Sequence, residues 1–154
     1  MQREQLKILL LQIRDDHKVR AEELESFARY SQLDVNQIDV LNVFDTPSFD
    51  SSVLEGYDAL YVGGASEANV LEPKIYPFVN DCISLIKFAG DTGIPTFASC
   101  FGFQLAVLAF GGEILSKDED YEMGSIPITL TNLASIDPVF SGTPDKFTAL
   151  SIHR

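Results

Sequence analysis

The chain of 154 residues has few cysteines, few histidines, little basic charge and no apolar run long enough to span a membrane. Its two cysteines, Cys82 and Cys100, are too few for a disulfide scaffold, and its first residues lack the apolar stretch of a signal peptide. We therefore expect a cytoplasmic protein. The 11 basic and 23 acidic residues give a net charge of −12. That charge opposes nucleic-acid phosphates and anionic membranes, so neither is an expected partner.

The hydrophobic pattern predicts alternating strands and helices in a single α/β domain that covers residues 1–154. Strands are predicted at residues 6–13, 37–44, 57–62 and 95–99, and helices at residues 18–31, 73–89 and 103–110. Ile75 and Cys82 are expected on the apolar face of the second helix, with Gly90 and Gly93 at its end. This alternation is typical of a parallel sheet. Two more strands are predicted near the end of the sequence, at residues 125–131 and 146–152.

One cysteine lies between a predicted strand and a predicted helix. Ala98 precedes Cys100 by two residues and Gly102 follows it by two, which are the small residues that a sharp strand-to-helix turn requires. Such a turn raises the cysteine to the carboxyl edge of the sheet, at a helix N-terminus that favours a thiolate. Cys100 is therefore a candidate nucleophile. The alternative is a cysteine that only packs at the end of a strand.

The sequence CFGFQ at residues 100–104 resembles the C-x-G-x-Q core of class I glutamine amidotransferases, especially the GMP synthase-like members. GGAS at residues 63–66 resembles their Gly-Gly-Pro oxyanion loop, with Ala65 in place of proline. DPVF at residues 137–140 and the segment at 148–153 resemble the stretches that follow. This resemblance implies an α/β, flavodoxin-like three-layer fold with a mostly parallel sheet and a cysteine nucleophile elbow.

The resemblance also implies a reaction and a set of site residues. Cys100 would attack the side-chain amide of glutamine, and the backbone N–H groups of Gly64 and Phe101 would bind the oxyanion. Ammonia would pass to an unknown acceptor or synthase partner, with no cofactor and no metal. Three further residues would contact the glutamine substrate: Gln104, Ile152 and Arg154.

Neither histidine matches the catalytic base of the family, which comes from a later H-x-E segment that these 154 residues do not contain. His17 is expected on the surface, and His153 matches an earlier histidine of the family. The chain is therefore expected to be part of a longer enzyme and inactive alone. Loss of the following strands would expose a sheet edge, which predicts a homo-oligomer or a marginally stable fragment.

Two other functions stay open at this point. The first is a binding or regulatory module that keeps the amidotransferase fold without catalysis. The second is a cysteine hydrolase that acts on γ-glutamyl bonds or is of the PfpI protease type. Gln104 argues against the PfpI type, and those proteins usually have His where this chain has Phe101.

Overall fold

The computed structural model describes residues 2–115 and 122–153. These residues fall into two compact units that divide between Ile114 and Leu115. The first unit contains a parallel sheet with helices on both faces, and the second contains a hairpin of two strands. No helix of the described residues is both long and apolar enough to cross a membrane.

The sheet of the first unit has four parallel strands in the order β2-β1-β3-β4. All four strands were predicted from the sequence, within a few residues at each end. The register places Leu10 of the first strand beside Val40 on one side and Tyr61 on the other. The strands are β1 (Ile8–Gln12), β2 (Ile38–Asn42), β3 (Ala59–Val62) and β4 (Thr96–Ala98).

Helices cover both faces of this sheet, which gives three layers. Helix α1 (His17–Ser31) packs on the face that carries Ile8 and Leu10. Helices α2 (Phe78–Thr92) and α3 (Phe101–Ala109) pack on the opposite face. Successive residues of a strand point to opposite faces, so a strand covered on both sides is apolar throughout. Every residue of β1 is buried for that reason.

The start and end of helix α2 differ from the prediction. The helix begins at Phe78 rather than Pro73, because Pro77 disfavours a helical conformation at the residue before it. Ile75 therefore lies outside the helix and is exposed, so its prediction on the apolar face was wrong. Gly90 lies inside the helix, and only Gly93 ends it, with a left-handed φ of 75°.

The second unit is an antiparallel hairpin of strands β5 (Glu122–Thr129) and β6 (Lys146–His153). Both strands were predicted, although the alternation of strands and helices gave no information on their direction. Their register pairs Gly124 with Ser151 and Thr129 with Lys146. The fold is thus mostly parallel, as expected, with one antiparallel pair.

Candidate active site

Three loops of the first unit meet because their strands are parallel and in register. Leu11 of β1 pairs with Val62 of β3, and Val62 pairs with Ala98 of β4. The residues that follow these strands leave the sheet at the same edge, where open α/β folds bind ligands. Arg14, Gly64 and Cys100 each lie two residues beyond a strand end, and all three line one cleft.

Cys100 occupies the tip of the strand-to-helix elbow that the sequence predicted. Its backbone has φ 52° and ψ −110°, a conformation that residues with a side chain rarely adopt. The turn is held by Ser99 N–H, which donates to Val62 O at 3.0 Å, and by Gly102 N–H, which donates to Gly63 O at 3.1 Å. The thiol is exposed. A cysteine that only packs at a strand end would need neither this backbone nor this exposure.

Gly102 allows helix α3 to approach β3 closely. A Cβ atom on this residue would lie 2.8 Å from Val62 Cγ1, 2.8 Å from Val62 O and 3.0 Å from Gly63 O. Two of those atoms belong to the backbone and cannot rotate away. Glycine is therefore required here by the packing of the elbow, as the sequence predicted.

Phe101 is the first residue of α3, and its side chain is buried. The first N–H groups of a helix have no carbonyl partner within the helix, so the Phe101 N–H is available to a ligand. Gly64 is buried beside the elbow, and a Cβ on it would lie 3.5 Å from Cys100 Cβ. The two predicted oxyanion donors are thus the residue that follows Cys100 and a glycine close to the Cys100 Cβ.

A cleft of about 720 Å³ lies between α1 and this edge of the sheet. One wall is aromatic: the rings of Phe27 and Tyr61 stack with centroids 5.3 Å apart, and Phe97 meets Tyr61 edge-on at 6.2 Å. The opposite end is polar. The residues lining this cleft are Arg14, Val19, Glu22, Glu23, Ser26, Phe27, Tyr30, Ser31, Tyr61, Gly64, Phe97, Ser99 and Cys100.

The polar end contains an ion pair that the sequence analysis missed. Glu23 Oε1 accepts hydrogen bonds from Arg14 Nε at 3.0 Å and from Gly64 N–H at 3.2 Å. Arg14 Nη1 donates to Ser66 Oγ at 3.0 Å. The Glu23 side chain is only 10% exposed. The position of Glu23 on α1 could have been predicted from the sequence. Glu23 lies one helical turn before Phe27 and therefore on the face of α1 that meets the sheet.

Of the remaining predicted substrate residues, only Gln104 belongs to the first unit. Gln104 is half-buried in α3. Ile152 belongs to the second unit, where it pairs with Met123 and is exposed. Arg154 lies outside the described residues. His17 is the exposed first residue of α1, as predicted, and His153 ends strand β6.

Cys82 contrasts with Cys100. It is fully buried on the apolar face of α2, as predicted, and it packs in the core beneath the sheet. Burial raises the pKa of the Cys82 thiol, and the nearby Asp81 carboxylate raises it further. Cys82 is therefore expected to be unreactive, and it serves as a control for the reactivity of the exposed Cys100 thiol.

Comparison with known proteins points to one family. The family model described as "Glutamine amidotransferase class-I" matches residues 29–154. GMP synthases (glutamine-hydrolyzing) of two Tropheryma whipplei strains, Twist and TW08/27, are each 32% identical over 133 residues. That match covers 82% of this chain but 24% of each synthase, so the chain spans about a quarter of their length.

Solved structures show the same fold. A glutamine amidotransferase from Thermotoga maritima superposes with a TM-score of 0.73 at 20% identity, over 96% of this chain and 60% of the other. The crystal structure of SMU.1228c gives a TM-score of 0.71 at 19% identity, with 96% and 61% covered. At such low identities the superpositions establish only the fold, which is the flavodoxin-like three-layer fold. The family follows from the sequence match. The chain belongs to the class I glutamine amidotransferase family.

Proposed function

We propose that Cys100 is the nucleophile of a glutamine amide hydrolysis carried out by this amidotransferase domain. The observation that supports this most directly is the backbone of Cys100, which places an exposed thiol at φ 52° between Gly64 and the start of α3. A strained residue with a reactive side chain in a cleft is typical of a catalytic position. The family match supplies the substrate class.

The reaction follows from the groups at the elbow. The Cys100 thiolate attacks the amide carbon of the glutamine side chain, and the oxyanion accepts hydrogen bonds from the N–H groups of Phe101 and Gly64. The C–N bond then breaks, and the nitrogen takes up a proton and leaves as ammonia. Water attacks the γ-glutamyl thioester, which releases glutamate and restores the thiol. In this proposal Gln104 helps to hold the amino-acid end of the substrate, and the backbone around Ile152 and Arg154 contacts the substrate.

The ammonia is proposed to serve a synthase. The Tropheryma whipplei relatives are named GMP synthases and hydrolyse glutamine, and this chain matches about a quarter of each. We propose a similar supply of ammonia here, to a synthase in the same or a separate chain.

A non-catalytic module is the second candidate, and one contact favours it. Gly64 N–H, the proposed oxyanion donor, already donates to the Glu23 carboxylate. If this contact is permanent, the cleft binds glutamine or a related ligand but cannot stabilise the oxyanion.

A glutaminase assay on the protein expressed from its own gene separates the two candidates. Ammonia release from glutamine is measured for the wild type, for Cys100→Ser and for Cys82→Ala, the matched control for loss of a thiol. We expect turnover that falls by about a thousandfold or more in Cys100→Ser and persists in Cys82→Ala. Turnover that survives in Cys100→Ser would refute the nucleophile, and glutamine binding without turnover in the wild type would establish the module.

A further inference from the structure

The Gly64 N–H, an oxyanion donor in the proposed mechanism, already donates a hydrogen bond within the protein. The Gly64 N–H has one hydrogen, which points to Glu23 Oε1 at 3.2 Å. A substrate carbonyl can accept that hydrogen only if the carboxylate moves away. A negative charge at this position also repels the negative charge that develops on the substrate oxygen.

The hydrogen bonds of Glu23 are unevenly distributed over its two oxygens. Oε1 accepts from both Arg14 Nε and Gly64 N–H. Oε2 is buried and has no hydrogen-bond partner in the described part of the chain. A buried carboxylate oxygen without a partner is costly, so the carboxylate is held less firmly than its burial suggests. This arrangement suits an occupant that a ligand displaces.

Arg14 can keep the carboxylate near the site after displacement. It bonds Glu23 through Nε and Ser66 Oγ through Nη1, and its Nη2 would lie 2.8 Å from a Cβ on Gly64. The guanidinium can therefore follow a small movement of the carboxylate without losing the ion pair. Neither Arg14 nor Glu23 lies within residues 29–154 that the family model matches, so the family match does not account for this contact.

We propose that Glu23 gates the oxyanion site: its carboxylate occupies the Gly64 N–H in the free protein and yields to the substrate carbonyl, while Arg14 retains the displaced side chain. This inference rests on the function proposed above. Glu23 is then a positioning residue that affects substrate binding and not the bond-breaking steps. Once substrate is bound the carboxylate has already moved, so the gate affects KM and leaves kcat unchanged.

Two variants open the gate by different physical routes. Glu23→Gln keeps the shape and an acceptor oxygen for Arg14 but replaces a charged hydrogen bond with a weaker neutral one. Gly63→Ala keeps the charge, but its new Cβ would lie 2.6 Å from Glu23 Oε2 and 2.8 Å from Oε1. The flexible side chain of Glu23 must therefore move. The backbone of residue 63 itself accepts alanine, because its φ is not left-handed.

In the protein expressed from its own gene and in both variants of that protein, the experiment measures KM and kcat for glutamine hydrolysis and the calorimetric Kd for glutamine. Glu25→Gln is the matched control, because Glu25 is an exposed carboxylate of α1 that does not line the cleft. Thermal unfolding confirms that each protein is folded. We expect KM and Kd to fall about tenfold in Glu23→Gln, with kcat unchanged, and to fall also in Gly63→Ala.

The opposite result identifies a purely structural carboxylate. If Glu23 only supports the Gly63-Gly64 loop, Glu23→Gln raises KM and Kd or leaves both unchanged, and the gate is refuted. The two proposals fail separately. Absence of turnover in every protein refutes the hydrolytic function, whereas the Kd comparison still decides whether Glu23 competes with the ligand.

Discussion

Replacement of Gly102 by alanine tests whether the close approach of α3 to β3 creates the elbow. The new Cβ would lie 2.8 Å from Val62 O and 3.0 Å from Gly63 O, both on the backbone. Overpacking of this kind costs about 1–3 kcal/mol, and the helix preference for alanine over glycine returns up to about 1 kcal/mol. We expect a net loss of up to about 2 kcal/mol, which lowers the Tm by up to about 8 °C for a chain of this size.

The assay combines thermal unfolding, followed by circular dichroism, with the rate at which iodoacetamide alkylates Cys100. The shifted helix start should also slow alkylation, because the thiol loses its position at the helix N-terminus. Gly56→Ala is the control: Gly56 has a left-handed φ of 84° but nothing within 4 Å of its Cβ position. It should lower the Tm through backbone strain alone and leave alkylation unchanged. An unchanged Tm with unchanged alkylation in Gly102→Ala would refute the steric argument.

Two further predictions concern stability. Because burial raises the pKa of Cys82 above its ordinary value of 9.0, the folded state keeps this proton longer than the unfolded chain. Its contribution to the free energy of unfolding is present below pH 9 and is lost above it, by up to about 1.4 kcal/mol per pH unit. Urea unfolding should show that the free energy of unfolding falls less between about pH 8 and about pH 10 in Cys82→Ala than in the wild type. An equal fall in the two proteins would contradict this. Leu105→Ala empties a fully buried position of α3 and should cost about 2–5 kcal/mol in the same assay, whereas Phe103→Ala, at a side chain 61% exposed, should change stability by less than about 0.5 kcal/mol. Similar losses in the two variants would show that α3 is packed differently.

Elements with a strong local pattern were predictable. The continuous apolar run around Leu10 predicted a strand covered on both faces, and β1 is buried throughout. Ala98 and Gly102 predicted the sharp turn around Cys100, because only small residues fit there. The start of α2 was missed where the apolar spacing continued through Pro77, although the restriction that proline places on the preceding residue was visible in the sequence.

The candidate site was only partly predictable. Cys100 was found from the pattern of the strand-to-helix turn and Gly64 through the family resemblance, and the structure brings them together at one edge of the sheet. Gln104 was predicted through the same resemblance to help hold the substrate, and this role stays a prediction, because residue spacing along a helix does not reveal which side of the elbow a side chain lies on. The structure leaves it half-buried in α3 and outside the lining of the cleft.

The sequence by itself determined the alternating strands and helices, the elbow and the exposure of one thiol, because these depend on short-range sterics and on the period of apolar residues. Only the tertiary structure brought Glu23 to Gly64, which is 41 residues away in the sequence, and paired it with Arg14. Contacts of this kind depend on strand register and on how a helix packs over a sheet edge, and neither is encoded in a local pattern. The contacts of Glu23 with Gly64 and Arg14 therefore become visible only when the parallel strands of the sheet are assembled.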